Sequence, residues 1–191
     1  MQQETSTSLE LVQRLRRGDA GAYQLIVDQW QHRVFNFALR YSNDQYFANE
    51  VVQKTFIQVF EKIDQLKDPA KLKSWLYKIA SNNCCNEGRL KSRVSFSVLD
   101  DQVPQRADFD TPARSYEKAE MKALVEDVLQ KIPPEQRQVI IMKEYEGLKF
   151  REIAEILGES ENTVKSRMYY GLDAMRKILL NNNLSKDIYH E

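Results

Sequence analysis

The sequence predicts an all-α protein: two small helical domains joined by a flexible linker, the C-terminal one containing a helix-turn-helix. Three observations carry this prediction. Apolar residues recur at three- and four-residue steps from Leu9 to about Gly88 and again from Tyr116 to Leu180, the period of amphipathic helices. Between Val94 and Ser115 that period disappears, and VSFSVLDDQVPQRADFDTPARS carries Pro104, Pro112 and four aspartates with few bulky apolar residues. From Phe150 to Arg176, in FREIAEILGESENTVKSRMYYGLDAMR, two apolar-periodic segments meet at a short break. The boundaries that follow are a domain over 1–93, a linker over 94–115 that is mobile in the free protein, a domain over 116–180 and a polar, fraying tail over 181–191.

In the first half, Leu11, Val12 and Leu15 make a short helix ending near Gly18. A longer one carries Tyr23, Ile26, Val27, Trp30, Val34, Phe37, Ala38 and Tyr41, and the polar break Ser42-Asn43-Asp44 ends it. The third helix runs through Ala48, Val51, Val52, Phe56, Val59, Phe60 and Ile63, with Glu50, Gln53, Lys54, Gln58 and Glu61 on its other side. Composition alone leaves that polar side as a solvated face. Pro69 interrupts the basic loop Leu66–Lys71, and a fourth helix spans about Leu72 to Gly88. Its stripe is Leu72, Trp75, Leu76, Ile79 and Ala80, which places Trp75 in the core.

The opposite face of the fourth helix offers Lys73, Ser74, Tyr77, Lys78, Ser81, Asn82 and Cys85, flanked by Lys71, Arg89, Lys91 and Arg93. Cations interleaved with an aromatic ring and a side-chain amide suit single-stranded nucleic acid. The cations track phosphates, Tyr77 can stack on a base and Asn82 can pair with a base edge. A basic solvated helix fits the same residues.

In the second half, a helix through Met121, Leu124, Val125, Val128 and Leu129 stops at Pro133-Pro134, and Pro134 can start the next one with Glu135 near its positive end. That helix holds Val139, Ile140, Ile141, Met142 and Tyr145 and leads past Gly147 into the hairpin. There, Ile153, Ala154, Ile156 and Leu157 share one side of a helix, Gly158 is a natural stop, and Ser160 is a plausible N-cap. Val164, Met168, Leu172, Met175 and Leu179 form the stripe of the second hairpin helix, turned toward the first. From Glu144 to Glu161 there are six glutamates against Lys149 and Arg151, whereas from Thr163 to Leu180 four cations face only Asp173. An ordinary helical hairpin does not need this segregation; a helix facing DNA phosphates does.

The phase of that helix presents Lys165, Ser166, Tyr169 and Tyr170 outward, with Arg167 between the faces and Thr163 in the first turn near a phosphate. Lys165 can donate to guanine acceptors, and a tyrosine ring can pack on a thymine methyl. Arg167 falls to the DNA backbone.

The formal net charge is zero, but it is unevenly spread: seven basic and two acidic residues lie between Lys67 and Arg93. The start, MQQETSTSLE, lacks an apolar signal-peptide core, and no run approaches the ~20 apolar residues of a membrane span. Cys84 and Cys85 are neighbours, a poor geometry for a disulfide, and with two histidines they supply too few ligands for a metal. A cytoplasmic protein without cofactor or metal is expected, and no phosphate loop or nucleophile–base motif suggests an enzyme or a small-molecule substrate.

Four segments together resemble one family. NEVVQKTFIQVF (49–60), KLKSWLYKIASNNCCN (71–86), LQKIPPEQRQVIIMKEYEGLKFREIAEILG (129–158) and ENTVKSRM (161–168) are similar, in order and spacing, to the extracytoplasmic-function (ECF) sigma factors. The resemblance implies an initiation factor whose third helix binds core RNA polymerase, making Glu50, Gln53 and Lys54 a docking face. It implies that Lys71, Lys73, Tyr77, Lys78, Asn82, Arg89, Lys91 and Arg93 capture the unpaired strand of the promoter −10 element. It implies that Thr163, Lys165, Ser166, Arg167, Tyr169 and Tyr170 read the −35 element as duplex, and that an anti-sigma factor, often membrane-bound, is a partner. Tyr170 and Leu172 stand where many relatives have arginines, and the segment around Asn49 and Lys54 lacks acidic residues that relatives often carry. The alternative is a stand-alone helix-turn-helix transcriptional regulator, which usually needs a dimerisation element; no heptad helix supplies one here.

Overall fold

The computed structural model describes residues 2–95 and 113–188, with side chains over 8–90 and 120–181. The described residues are helical and turn in structure, without strands. The chain forms two compact units, the first built of helices α1–α4 and the second centred on α5, α6 and α8.

In the first unit, α1 (Gln2–Arg16) gives way at Gly18 to α2 (Ala20–Ser42). Asp19 caps α2 by accepting from the Gly21 and Ala22 amides at 2.8 and 3.2 Å, and Arg14 Nε holds its other oxygen at 2.8 Å. Arg14 and those amides hold the Asp19 carboxyl below its ordinary value. Asn43 ends α2 in the left-handed region (φ +54°), and Asp44 caps α3 (Gln45–Lys62) through the Phe47 amide at 3.0 Å. Two short 3-10 turns, Ile63–Gln65 and Pro69–Lys71, lead into α4 (Leu72–Ser95). Arg16 donates to the Leu66 carbonyl and so ties the end of α1 to this loop.

α2, α3 and α4 pack together around Ile26, Trp30, Val34, Phe37, Val51, Phe56, Val59, Leu72, Leu76 and Ala80. A buried polar link joins α3 and α4 within this core. Asn83 donates to Thr55 Oγ1 at 3.1 Å and accepts from Gln58 Nε2 at 3.1 Å, so α4 is pinned to α3 by a satisfied buried amide.

In the second unit, α5 (Ala113–Gln130) is closed by Arg137, whose guanidinium donates to the Gln130 carbonyl at 2.6 Å and the Ile132 carbonyl at 3.1 Å. α6 (Pro134–Ile140) continues into a wider π turn over Ile141–Tyr145, where the Glu146 amide reaches back to the Ile141 carbonyl at 3.2 Å. Gly147 (φ +65°) then redirects the chain into α7 (Phe150–Leu157) and α8 (Glu161–Ile188). The linker expected over 94–115 falls largely on residues 96–112, outside the described residues. The tail expected to fray from Asn181 is helical to Ile188. Among the described residues no helix is long and apolar enough to cross a membrane.

Candidate nucleic-acid interface

Gly158 closes α7 with φ +69°, a conformation that strains any L side chain. Ser160 then caps α8. The Thr163 amide donates to its Oγ at 3.0 Å, and the two hydroxyls lie 2.8 Å apart. The Thr163 amide is thus the cap's donor, as expected of a residue in the first turn after Ser160. Burial fixes the phase of α8: Val164 is fully buried and Met168 and Met175 nearly so, while Lys165, Ser166, Tyr169 and Tyr170 are exposed. The two tyrosine rings, 70% and 60% exposed, meet edge to face at 5.7 Å.

Leu172 corrects the expected stripe, because it is exposed and Gly171 is buried in its place. α8 packs chiefly on α6, so closely that a Cβ on Gly171 would come 2.8 Å from Ile140 Cδ1 and 3.1 Å from Gln136 Cβ. Only the absence of a side chain permits that approach, and the seam runs 164, 168, 171, 175. Two candidate reading residues are ion-paired. Lys165 Nζ lies 2.7 Å from Glu161 Oε1, and Arg167 Nη2 lies 2.8 Å from Glu159 Oε1 with its side chain 27% exposed. Lys165 and Lys143 both approach the Phe150 ring, at 5.9 and 4.9 Å from its centre.

On α4 the two aromatic residues exchange their expected places. Tyr77 is fully buried, edge-on to Phe37 at 5.6 Å and Trp30 at 6.4 Å, and cannot stack on a base; Trp75 is only half-buried. The reason is that α4 packs against α2 and α3 together, burying an arc wide enough to take in Tyr77 and, with it, Ser81 and Cys84. Lys71, Lys78, Asn82 and Arg89 are exposed and Lys73 is half-buried, so the cations and the amide do line the outer side. Lys91 and Arg93 lie on the last turns of α4, with side chains outside the described residues. Burial pushes the Cys84 thiol well above its ordinary value.

On α3, Gln53 is exposed, whereas Lys54 is engaged. Its ammonium lies 2.5 Å from Glu87 Oε1 on α4 and 3.6 Å from Glu50 Oε2. The bond to Glu87 raises the Lys54 pKa above 10.5. Phe60, assigned to the core by spacing, is 57% exposed, and Ile57 beside it is 51% exposed. Phe60 meets Tyr23 edge to face at 5.3 Å. These two apolar side chains are surface features that a one-stripe reading misses. The signal for them is that α3 has more apolar residues than one face can bury.

The fold contains a helix-turn-helix, α7, the Gly158 turn and α8, with a second helical unit added. Comparison narrows this further. Residues 26–94 match sigma-70 region 2, and residues 122–175 match sigma-70 region 4. The ECF RNA polymerase sigma-E factor of Haemophilus influenzae is 31% identical, over 87% of this chain and 92% of its own. The RNA polymerase sigma-H factor of Pseudomonas aeruginosa is 28% identical, over 89% and 92%. In fold, the chain is similar to CnrH, solved in complex with the cytosolic domain of CnrY, with a TM-score of 0.67 at 21% identity over 91% of this chain and 97% of that one. It is likewise similar to the sigma factor RpoE of Bartonella quintana, with a TM-score of 0.66 at 22% identity over 82% and 96%. The chain belongs to the sigma-70 family of RNA polymerase initiation factors, in its extracytoplasmic-function group. The region 2 match accounts for the N-terminal unit that a stand-alone regulator leaves unexplained.

Proposed function

We propose a division of labour within the established role of a sigma factor, which binds core RNA polymerase and directs promoter-specific initiation. The first unit docks on core polymerase through α3 and captures the unpaired −10 strand on α4. The second reads the −35 duplex with α8. The observation that carries this is the two-sidedness of α8: Lys165, Ser166, Tyr169 and Tyr170 exposed, opposite a seam buried on α6. Lys165 donates to guanine acceptors, a tyrosine ring packs on a thymine methyl, and Arg167 positions the backbone.

On α4, Lys71, Lys73, Lys78 and Arg89 follow the strand phosphates, Asn82 meets a base edge, and Trp75 takes the stacking role that the buried Tyr77 cannot fill. For docking, Gln53 and Glu50 act with the exposed Ile57 and Phe60, while Lys54 serves to join α3 to α4. RpoE of Bartonella quintana was solved with the anti-sigma factor NepR, and we carry that class of partner over to this chain. The chain works in the cytoplasm, without catalytic activity or a small-molecule substrate of its own. Transcription by core polymerase plus this protein on a promoter library tests the reading. Transcripts should start downstream of paired −35 and −10 elements. A protein that shifts a duplex operator unaided and yields no specific transcripts would be a stand-alone regulator instead.

A further inference from the structure

The leading edge of the −35 reader is electrically cancelled. Residues 159–167 contain Glu159, Glu161, Lys165 and Arg167, a net charge of zero, and the structure pairs them off. Glu161 holds Lys165 at 2.7 Å from one turn earlier on α8. Glu159, in the turn, holds Arg167 at 2.8 Å across eight positions. The Lys165–Glu161 pair is about half-exposed on both sides, and pairs of that kind contribute little to stability. Their consequence lies instead in DNA binding. Nonspecific affinity comes from cations that neutralise phosphates and release counterions. A leading edge whose two cations, Lys165 and Arg167, already have carboxylate partners, and whose other exposed side chains include Ser166 and two tyrosines, gains little from phosphates alone. To bind, Lys165 must exchange Glu161 for a base acceptor, and the two carboxylates must be brought near a polyanion. Only a sequence that supplies base contacts offsets that cost.

We infer that Glu159 and Glu161 are specificity determinants of the −35 interaction: they suppress binding to wrong DNA by more than they weaken binding to the right DNA. The inference rests on α8 being the duplex reader. Glutamine is the informative replacement, since Glu159→Gln keeps an acceptor for Arg167 and so keeps the brace on the turn while removing the charge.

The experiment uses core polymerase loaded with the full chain. Its affinity is measured across a salt series for a promoter duplex and for the same duplex with a scrambled −35 segment. The double variant E159Q/E161Q should tighten binding to the scrambled duplex by about tenfold at 0.1 M salt and steepen its salt dependence by one to two phosphate equivalents, about 0.9 in slope for each. The promoter duplex should gain less, so the ratio between the two falls. Equal tightening on both duplexes, or none on either, overturns the inference. K165A, run in parallel, separates the two levels. If it leaves the ratio untouched, Lys165 is not reading a base, and the exchange of Glu161 for a base acceptor on which the inference rests fails. If it lowers the ratio while E159Q/E161Q does not, only the role given to the glutamates fails.

Discussion

Tyr77 and Trp75 sit two positions apart on α4 with opposite fates, and the difference is measurable. Tyr77→Ala removes a fully buried ring from between Phe37 and Trp30 and should cost about 3–5 kcal/mol in urea unfolding. Trp75→Ala should leave the fold intact and instead slow promoter opening, seen as weaker permanganate reactivity of the melted bases. Normal opening by Trp75→Ala would remove the stacking role. The neighbouring thiols divide in the same way. Cys84 is buried with its thiol held protonated, so alkylation of the native protein should modify Cys85 alone, and Cys84 only on unfolding. The aromatic pair was not legible in the sequence because tryptophan and tyrosine suit a core and a wet surface equally. What decides between them is how many neighbours a helix has, and a single stripe cannot reveal that α4 has two.

At the level of helices, the local signals were legible. Gly158, the Ser160 cap, the Asn43–Asp44 break and the Pro69 turn all lie where residue chemistry placed them, because each depends on atoms within a few positions. The α8 seam was legible only in part. Leucine at 172 looks like core, and nothing local says that α6 comes so close that glycine must occupy the seam at 171. Gly171→Ala should therefore destabilise the second unit by about 1–3 kcal/mol and weaken promoter binding with it. Leu172→Ala, at an exposed position, should change stability by less than about 0.5 kcal/mol. Comparing the two denaturation midpoints checks the seam; a larger loss at 172 would restore the original stripe.

For the whole molecule, the all-α class and the order of the parts followed from periodicity and its interruption, while the pairing of charges did not, since sequence shows a lysine but not its partner. Lys54 is the case with a pH signature. Glu87 raises its pKa above 10.5, so the pair's contribution to stability is fully present below pH 10.5 and fades as pH rises through the folded value. Lys54→Met should lack that component, and unfolding midpoints taken at about pH 9.5 and 11 should fall less in the variant than in the parent. The buried amide of Asn83, shared between Thr55 and Gln58, has a consequence for inheritance. Replacing it with an apolar residue strands a buried hydroxyl, and replacing Thr55 alone strands the amide. The two helices therefore travel best between factors as one piece: a chimera that imports a foreign α3 without the matching position on α4 loses this buried link between them.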